Sequence, residues 1–423
     1  MVHPRNPDII LERTTFGILL SEDHGKSFHW ICEPIIGFSN GLDPGVGVFE
    51  DGSYAVAGYY GLAVSHDNAC SFPFMGGGLK DQYVIDISVD AKTPRNAVAI
   101  TALKEGLPST HIQVVETRDN GVTWQPTGDD IKEQLVVTTI DVAPSDPKRL
   151  YISGSYFANG ERFGFVMTSK DRGKTWGPKT SIGSRQKPAV AIYMSGVDPT
   201  NADRVFARIY SPDNKDTLLV SDDGFATYKE LIQFKGSMYG FAIHPTGSKV
   251  VIGGSADGVW MADRPASGIG YVFKKQAETP VNCLRWTDET LYGCGYPNQG
   301  PGTFVVAHSE DDGAHWTPMI TALEDISATL TRCPANSDYN EKCIPDWPRQ
   351  ACLFAKPGQL DECAKVLQPD AGTGNPSAPS DGGGCALRTI PSAAPKTATG
   401  IAAAVFGIGL LARRRRARPG RRP

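Results

Sequence analysis

From the first residues to about residue 320 the chain alternates short apolar runs, rich in Val, Ile, Phe and Tyr, with clusters of Gly, Pro, Asp and Asn. Runs of this length and composition read as strands, and the polar clusters as turns. The stretch "VVTTIDVAPSDPKRLYISGSY" (136–156) predicts a strand, a Pro/Asp turn and a second strand. It is echoed by "MSGVDPTNADRVFARI" (194–209), by "YGFAIHPTGSKVVIGG" (239–254) and, at the start, by "MVHPRNPDIILERT". No convincing amphipathic helix precedes residue 320.

Between these phrases lies an octapeptide of the form Ser/Thr-x-Asp-x-Gly-x-Ser/Thr-aromatic. It occurs as "SEDHGKSF" (Ser21, Asp23, Gly25, Phe28), "TRDNGVTW" (Thr117, Asp119, Gly121, Trp124), "SKDRGKTW" (Ser169, Asp171, Gly173, Trp176) and "SEDDGAHW" (Ser309, Asp311, Gly313, Trp316). Weaker copies are "SHDNACSF" (Ser65, Asp67, Phe72) and "SDDGFATY" (Ser221, Asp223, Tyr228), with Ala69 and Phe225 at the glycine position. Starts at 21, 65, 117, 169, 221 and 309 leave a double-length final gap, into which "DGVWMADRPASGIGYVF" (257–273) fits as a degenerate unit. Seven units of four strands, each ~40–50 residues long, predict an all-β, seven-bladed propeller of four-stranded antiparallel blades.

The octapeptide needs no substrate to explain it. Glycine tolerates a positive φ, Ser and Asp side chains bond their own turn, and the closing ring can wedge between sheets. On these boxes the chain resembles the Asp-box (BNR-repeat) propellers, a group including sialidases, sortilin-type receptors, xyloglucan hydrolases and photosystem assembly factors. The resemblance covers residues 1 to about 320. It implies that the boxes sit at outer hairpins, on the face away from the ligand site, and act as scaffold.

Composition agrees with a turn-rich β protein: 46 Gly, 31 Pro and 21% charged residues. The formal charge is −4, but nine Lys/Arg and no Asp/Glu follow Cys385, so the remainder carries −13. An acidic body argues against nucleic-acid binding, which asks for a basic stripe. Eight cysteines precede Cys385. Cys283 and Cys294 fall on consecutive predicted strands of one blade, Cys32 and Cys70 at the ends of corresponding hairpins in adjacent blades, where a bridge between them is expected, and Cys333, Cys343, Cys352 and Cys363 in a compact cluster with three internal connectivities. With no CxxC pair and no His inside the cluster, disulfides in an oxidising compartment are expected, with no metal and no cofactor.

After the propeller (1–320) and a Cys-rich closing extension (321–363), residues 364–384 read as a flexible linker and 385–423 as a membrane tail. In that tail an uncharged run, 397–412, expected to be helical, meets the block "RRRR" (413–416). The Gly-Gly-Gly-Cys, spacer, short apolar segment and Arg block resemble the MYXO-CTERM sorting tail of exported proteins. That resemblance implies processing or lipidation at Cys385 by a sorting protease, membrane attachment through the tail, and a mature protein at the cell envelope. "MVHPRNPDII" is no signal peptide. Either the true start lies upstream, with a leader and one strand, or "LEDISATLTRC" (323–333) returns to supply the missing inner strand.

No catalytic residue is identified. Arg13, Arg208 and Arg285 fall near inner or second strands, but the Arg-Ile-Pro segment expected of a sialidase is absent. Asp81, Glu105, Asp129, Asp130 and Asp257 lie on predicted loops with nothing to pair them as glycoside hydrolysis requires. Loops "AGYYG", "GSYFANGERFG", "RIYSPDNKD" and "GYPNQGPG" instead offer aromatic and polar groups. The candidate ligand face is therefore Arg13, Tyr59, Tyr60, Tyr156, Arg208, Tyr210, Arg285 and Tyr296. The expected function is non-catalytic recognition of an extracellular glycan, peptide or protein; the alternative is a glycoside hydrolase of the sialidase or xyloglucanase type.

Overall fold

The computed structural model describes residues 1–355 and 363, except 38–43, 80–81, 104–108, 184–190, 212, 214, 298–301 and 328–329. The linker, the tail with Cys385, and Asp81 and Glu105 lie outside the described residues. Seven antiparallel sheets follow one another along the chain, each with its strands in sequence order, and form a seven-bladed propeller. Blades three to seven have four strands. In the fourth they are Val136–Ala143, Asp146–Ala158, Glu161–Ser169 and Thr180–Ile182; in the fifth Ala191–Val197, Val205–Tyr210, Thr217–Ser221 and Lys229–Gln233. The degenerate unit supplies Gly258–Asp263 and Lys274–Ala277 as third and fourth strands of blade six.

Blades one and two have three strands and a shorter pairing in place of the fourth. In blade one Val2 bridges Ile10 on the inner side, and in blade two Phe74 bridges Ala63 on the outer side. The third strands Gly17–Ser21 and Gly61–Ser65 are buried throughout, because both faces of a blade meet a neighbour. The core accordingly consists of apolar clusters lying between consecutive blades, such as Val98, Ile100 and Val114 of blade three against Val137, Ile140 and Ile152 of blade four. Inner strands are tied across blades by side chains: Asp86 Oδ2 accepts the Ile140 amide at 3.0 Å, Ser88 Oγ that of Val142 at 3.1 Å, and Thr139 Oγ1 that of Met194 at 3.2 Å.

Each of the six boxes ends a third strand and makes the same turn. Ser/Thr Oγ donates to the Asp carboxylate at 2.7–2.9 Å and accepts the amide of the fifth residue at 2.8–3.0 Å. The seventh residue donates its amide to the same carboxylate, and its side chain completes the loop, His315 Nδ1 taking the place of a hydroxyl at 2.6 Å. Burial alone would raise these six Asp carboxyls. The converging donors outweigh it and hold all six below the usual aspartate value.

The fourth and fifth residues of the box both take positive φ. The fifth presses on the preceding blade: a Cβ on Gly25 would lie 2.6 Å from Met319 Sδ, and one on Gly313 2.8 Å from Val259 Cγ1. Phe225 nevertheless holds this position at φ 68°, its ring buried beside Ala143 and Tyr151 of blade four. Tyr228, expected to wedge between sheets, is displaced from that role; it stays on the surface, stacked on Phe225 with centroids 6.1 Å apart.

The seam between blades seven and one is closed from outside, which corrects two expectations. Ser327 pairs in parallel with His29 on the outermost strand of blade one, exchanging bonds with Trp30 and Phe28. The returning segment thus adds an outer edge and not the missing inner strand. Cys32 bonds Cys343 and Cys70 bonds Cys333, so the expected Cys32–Cys70 bridge does not form and only Cys352–Cys363 stays within the cluster. The reason is the path of the chain, which passes both blade termini before reaching its helix. That helix, Ile344–Phe354, follows the helical turn Tyr339–Cys343 and packs Trp347 on Trp30 (5.7 Å) and Phe354 on Phe16 (4.8 Å). Arg332 pairs with Glu22 and donates to the Asn68 carbonyl, holding the turns of blades one and two together.

Candidate functional site

Antiparallel order puts the box turns at one end of the ring, together with the hairpins between first and second strands. The loops between second and third strands, and those joining blades, occupy the other end. The two ends differ in chemistry. At the box end ion pairs link neighbouring blades: Arg172 with Asp90 (3.1 Å) and Glu116 (2.6 Å), Arg149 with Asp203, Arg264 with Asp198 (3.5 Å), and Lys249 with Asp312 (2.6 Å). Charges matched in this way brace a scaffold.

The opposite end carries exposed rings, among them Tyr59, Tyr60, Phe157, Tyr239 and Tyr296. Among the described residues the hairpin of blade four has the longest paired register between second and third strands. Measured from the box serine, the third strand Glu161–Ser169 is four residues longer than its counterpart Gly61–Ser65 in blade two, roughly 13 Å at the usual rise per residue. Register places Tyr156 opposite Phe163 and Phe157 opposite Arg162, with Asn159 and Gly160 at positive φ in the tip.

One face of this hairpin looks toward blade five, where the buried Ser153 Oγ bonds the Ile192 carbonyl and the Met194 amide. On that face Arg162 Nε donates to Ser155 Oγ at 3.0 Å, and the guanidinium stands 5.7 Å from the Phe157 ring. Burial draws the Arg162 pKa down from its usual value, and the neighbouring Tyr193 opposes the shift. Tyr193, on the inner strand of blade five, pairs across the sheet with Arg208. The Arg208 guanidinium lies 4.9 Å from the Tyr193 ring and 5.2 Å from that of Tyr239, which belongs to the loop entering blade six. Burial raises the Tyr193 phenol above its ordinary value, so it stays protonated as a donor at neutral pH.

Phe157, Arg162, Tyr193, Arg208 and Tyr239 thus form a line of alternating rings and cations across three blades. Arg208 is compensated: Nη1 donates to the fully buried Asp216 at 3.0 Å and to the Met238 carbonyl at 2.8 Å. Arg162 has no carboxylate partner among the described residues. On the hairpin's other face Lys179 Nζ sits 4.8 Å from the Tyr156 ring, and Tyr156 stacks on Phe163.

The remaining candidates scatter. Arg13 bonds the Pro44 carbonyl at 2.9 Å and, with Arg285, acts on the Met1 amino group, whereas Arg208 bonds Asp216 and the Met238 carbonyl. Tyr59 packs edge-on against Tyr60 and is tilted on Tyr83. Tyr210 adds to the field around Tyr193. Asp257 is buried and accepts the Lys235 and Gly236 amides, so it is a structural cap and not a loop carboxylate facing ligand. Asp130 bonds His111 and Gln113.

Two inner-strand carboxyls were not foreseen. Asp86 and Asp141 keep some exposed area yet are enclosed by protein; desolvation raises Asp86 to about 6 and, with the Asp86 charge, Asp141 to about 7. Both Asp86 oxygens are engaged by backbone amides, of Ile87 and Ile140. Glu12, Cys283 and Cys294 bring potential ligand atoms within 4.8 Å of one another, but the two sulfurs are bonded together as a disulfide, leaving no thiolate to bind an ion. Phe157 and Arg162 belong to the segment "GSYFANGERFG", and their juxtaposition follows only from the hairpin register. Tyr193 and Tyr239 gave one sequence signal, an aromatic residue beginning or interrupting an inner strand.

No protein-family model and no curated protein matches the chain. Solved structures do. An ancestral GH74 enzyme aligns at 13% identity with a TM-score of 0.53, over 75% of this chain and 46% of that one. The likeness is one of fold. The chain spans about half the length of that enzyme. The GH74 xyloglucanase from Xanthomonas campestris (13% identity, TM-score 0.33, 75% and 66% covered) and the hydrazine synthase of Kuenenia stuttgartiensis (13%, 0.44, 70% and 91%) are more distant matches.

Proposed function

We propose that this propeller is a non-catalytic recognition module of the cell envelope, binding an extracellular glycan, peptide or protein on the end opposite its box turns. The observation that carries this reading is the alternating line of Phe157, Arg162, Tyr193, Arg208 and Tyr239, which starts on the long paired hairpin of blade four and runs into blades five and six. Binding sites favour loops on rigid scaffolds, and rings with a polar edge suit sugars and peptides alike. The box turns, read as Asp-boxes, then serve as scaffold, as their self-contained bonding supports. The sorting-type tail, with Cys385 as its processing site, would hold the module at the surface, and the disulfides suit an oxidising compartment.

Glycan and peptide arrays probed with the purified full chain test this reading. Binding that falls at least tenfold in both Phe157→Ala and Tyr239→Ala supports it. Binding untouched by both, or turnover of a polysaccharide by the unmodified chain, refutes it.

A further inference from the structure

Resting on that reading, we propose that the line across blades four to six recognises a sparsely carboxylated glycan, a uronate carboxylate seating on the Nη edge of Arg162 and a sugar ring against Phe157. Ser155, fully buried, fixes the guanidinium plane by taking Nε–H at 3.0 Å. The two Nη groups form the opposite edge of the fork, and no carboxylate among the described residues meets them. Partly buried arginines at the box end are matched: Arg172 has Asp90 and Glu116, and Arg204 has Asp222. A cation half withdrawn from water without a counter-ion is unfavourable unless a ligand supplies one.

The shape of the missing anion follows from the donor. A guanidinium edge presents two parallel N–H bonds, the geometry of a carboxylate. Phe157 beside it is exposed and apolar, suited to the C–H face of a pyranose. Because Asp216 already neutralises Arg208, the line holds one uncompensated charge, and a body of net charge −13 repels densely anionic polymers. An occasional acidic sugar among neutral ones meets both conditions; a polyphosphate or a run of acidic residues does not.

The test compares a glucuronic-acid-substituted xylan oligosaccharide with its carboxyl-reduced, neutral counterpart and with an acidic peptide, by calorimetry on the full chain. Carboxyl reduction should weaken binding about tenfold or more, the worth of one charge-assisted pair. Arg162→Gln should bring the acidic sugar down to the neutral one without lowering the melting temperature. Raising salt from about 0.05 to about 0.5 M should weaken only the acidic sugar. Equal affinity for both sugars, lost in Tyr239→Ala, would overturn the carboxylate and keep the binding reading; preference for the acidic peptide would overturn it too. Failure of both sugars to bind would overturn the inference alone, because the recognition reading is decided separately by the glycan and peptide arrays with Phe157→Ala and Tyr239→Ala.

Discussion

Removing the bridges at the seam tests how the ring is closed. Cys32–Cys343 joins residues 311 apart and Cys70–Cys333 residues 263 apart. Chain-entropy arithmetic gives either bridge alone about 6 kcal/mol, and the second, closing a further loop of roughly 50 residues once the first exists, about 4 kcal/mol. Breaking one bridge should therefore cost about 4 kcal/mol, and breaking both about 10, more than twice as much. That total lies within the whole stability range of ordinary domains, ~5–15 kcal/mol. The variants are Cys32→Ala/Cys343→Ala, Cys70→Ala/Cys333→Ala and their combination; alanine is preferable because these sites are buried and a serine hydroxyl would lack a partner. Guanidinium unfolding can be followed by Trp30 and Trp347, which face each other at the seam. A loss below ~1 kcal/mol for either pair, or a combined loss no larger than the sum, would refute closure by the bridged extension.

Asp171→Ala removes the acceptor of the Thr175 amide and hydroxyl and of Ser169 Oγ, and should lower stability by about 2–3 kcal/mol in thermal or chemical unfolding. The pH profile should have two limbs. The six depressed box carboxyls stabilise the fold above the unfolded aspartate value, about 3.9, and that contribution is lost as pH falls through their lower folded values. Asp141, raised to about 7, binds its proton more readily folded than unfolded, so stability should rise as pH falls from 7 toward 4, by at most about 1.4 kcal/mol per unit. Asp141→Asn should flatten that rise in a melting-temperature series, and an unchanged slope would count against it. Arg208→Met strands the buried Asp216 and should cost about 3–5 kcal/mol in the same assays. Phe225→Gly relieves a left-handed backbone but forfeits a buried ring, for a net loss of about 1–2 kcal/mol.

The blade repeat was legible because its determinants are local: all the box bonds fall within seven residues, and strand burial shows directly as apolar runs. What the sequence did not disclose depends on partners from other blades. Phe225 replaces glycine only because Ala143 and Tyr151 leave it a pocket, and this in turn frees Tyr228. Cysteine pairing over separations of 311 and 263 residues is set by where the returning extension passes, which spacing does not encode. The recognition line draws its members from three blades, so Tyr59, Tyr60 and Tyr156 stood out in quoted loops while Tyr193 and Tyr239 did not. Arg208 was found, but its buried carboxylate was not, and Arg13 turned out to bond a backbone carbonyl.

The clasp at the seam has a consequence for biogenesis. While the thiols stay reduced, the clasp is held only by the strand pairing of Ser327, the contacts of Arg332 and the packing of Trp347 and Phe354, and it can detach without unstacking the blades. Oxidation of these two pairs therefore acts as a checkpoint on folding: until both bridges have formed, the outer edge of blade one should be the first place a protease can cut.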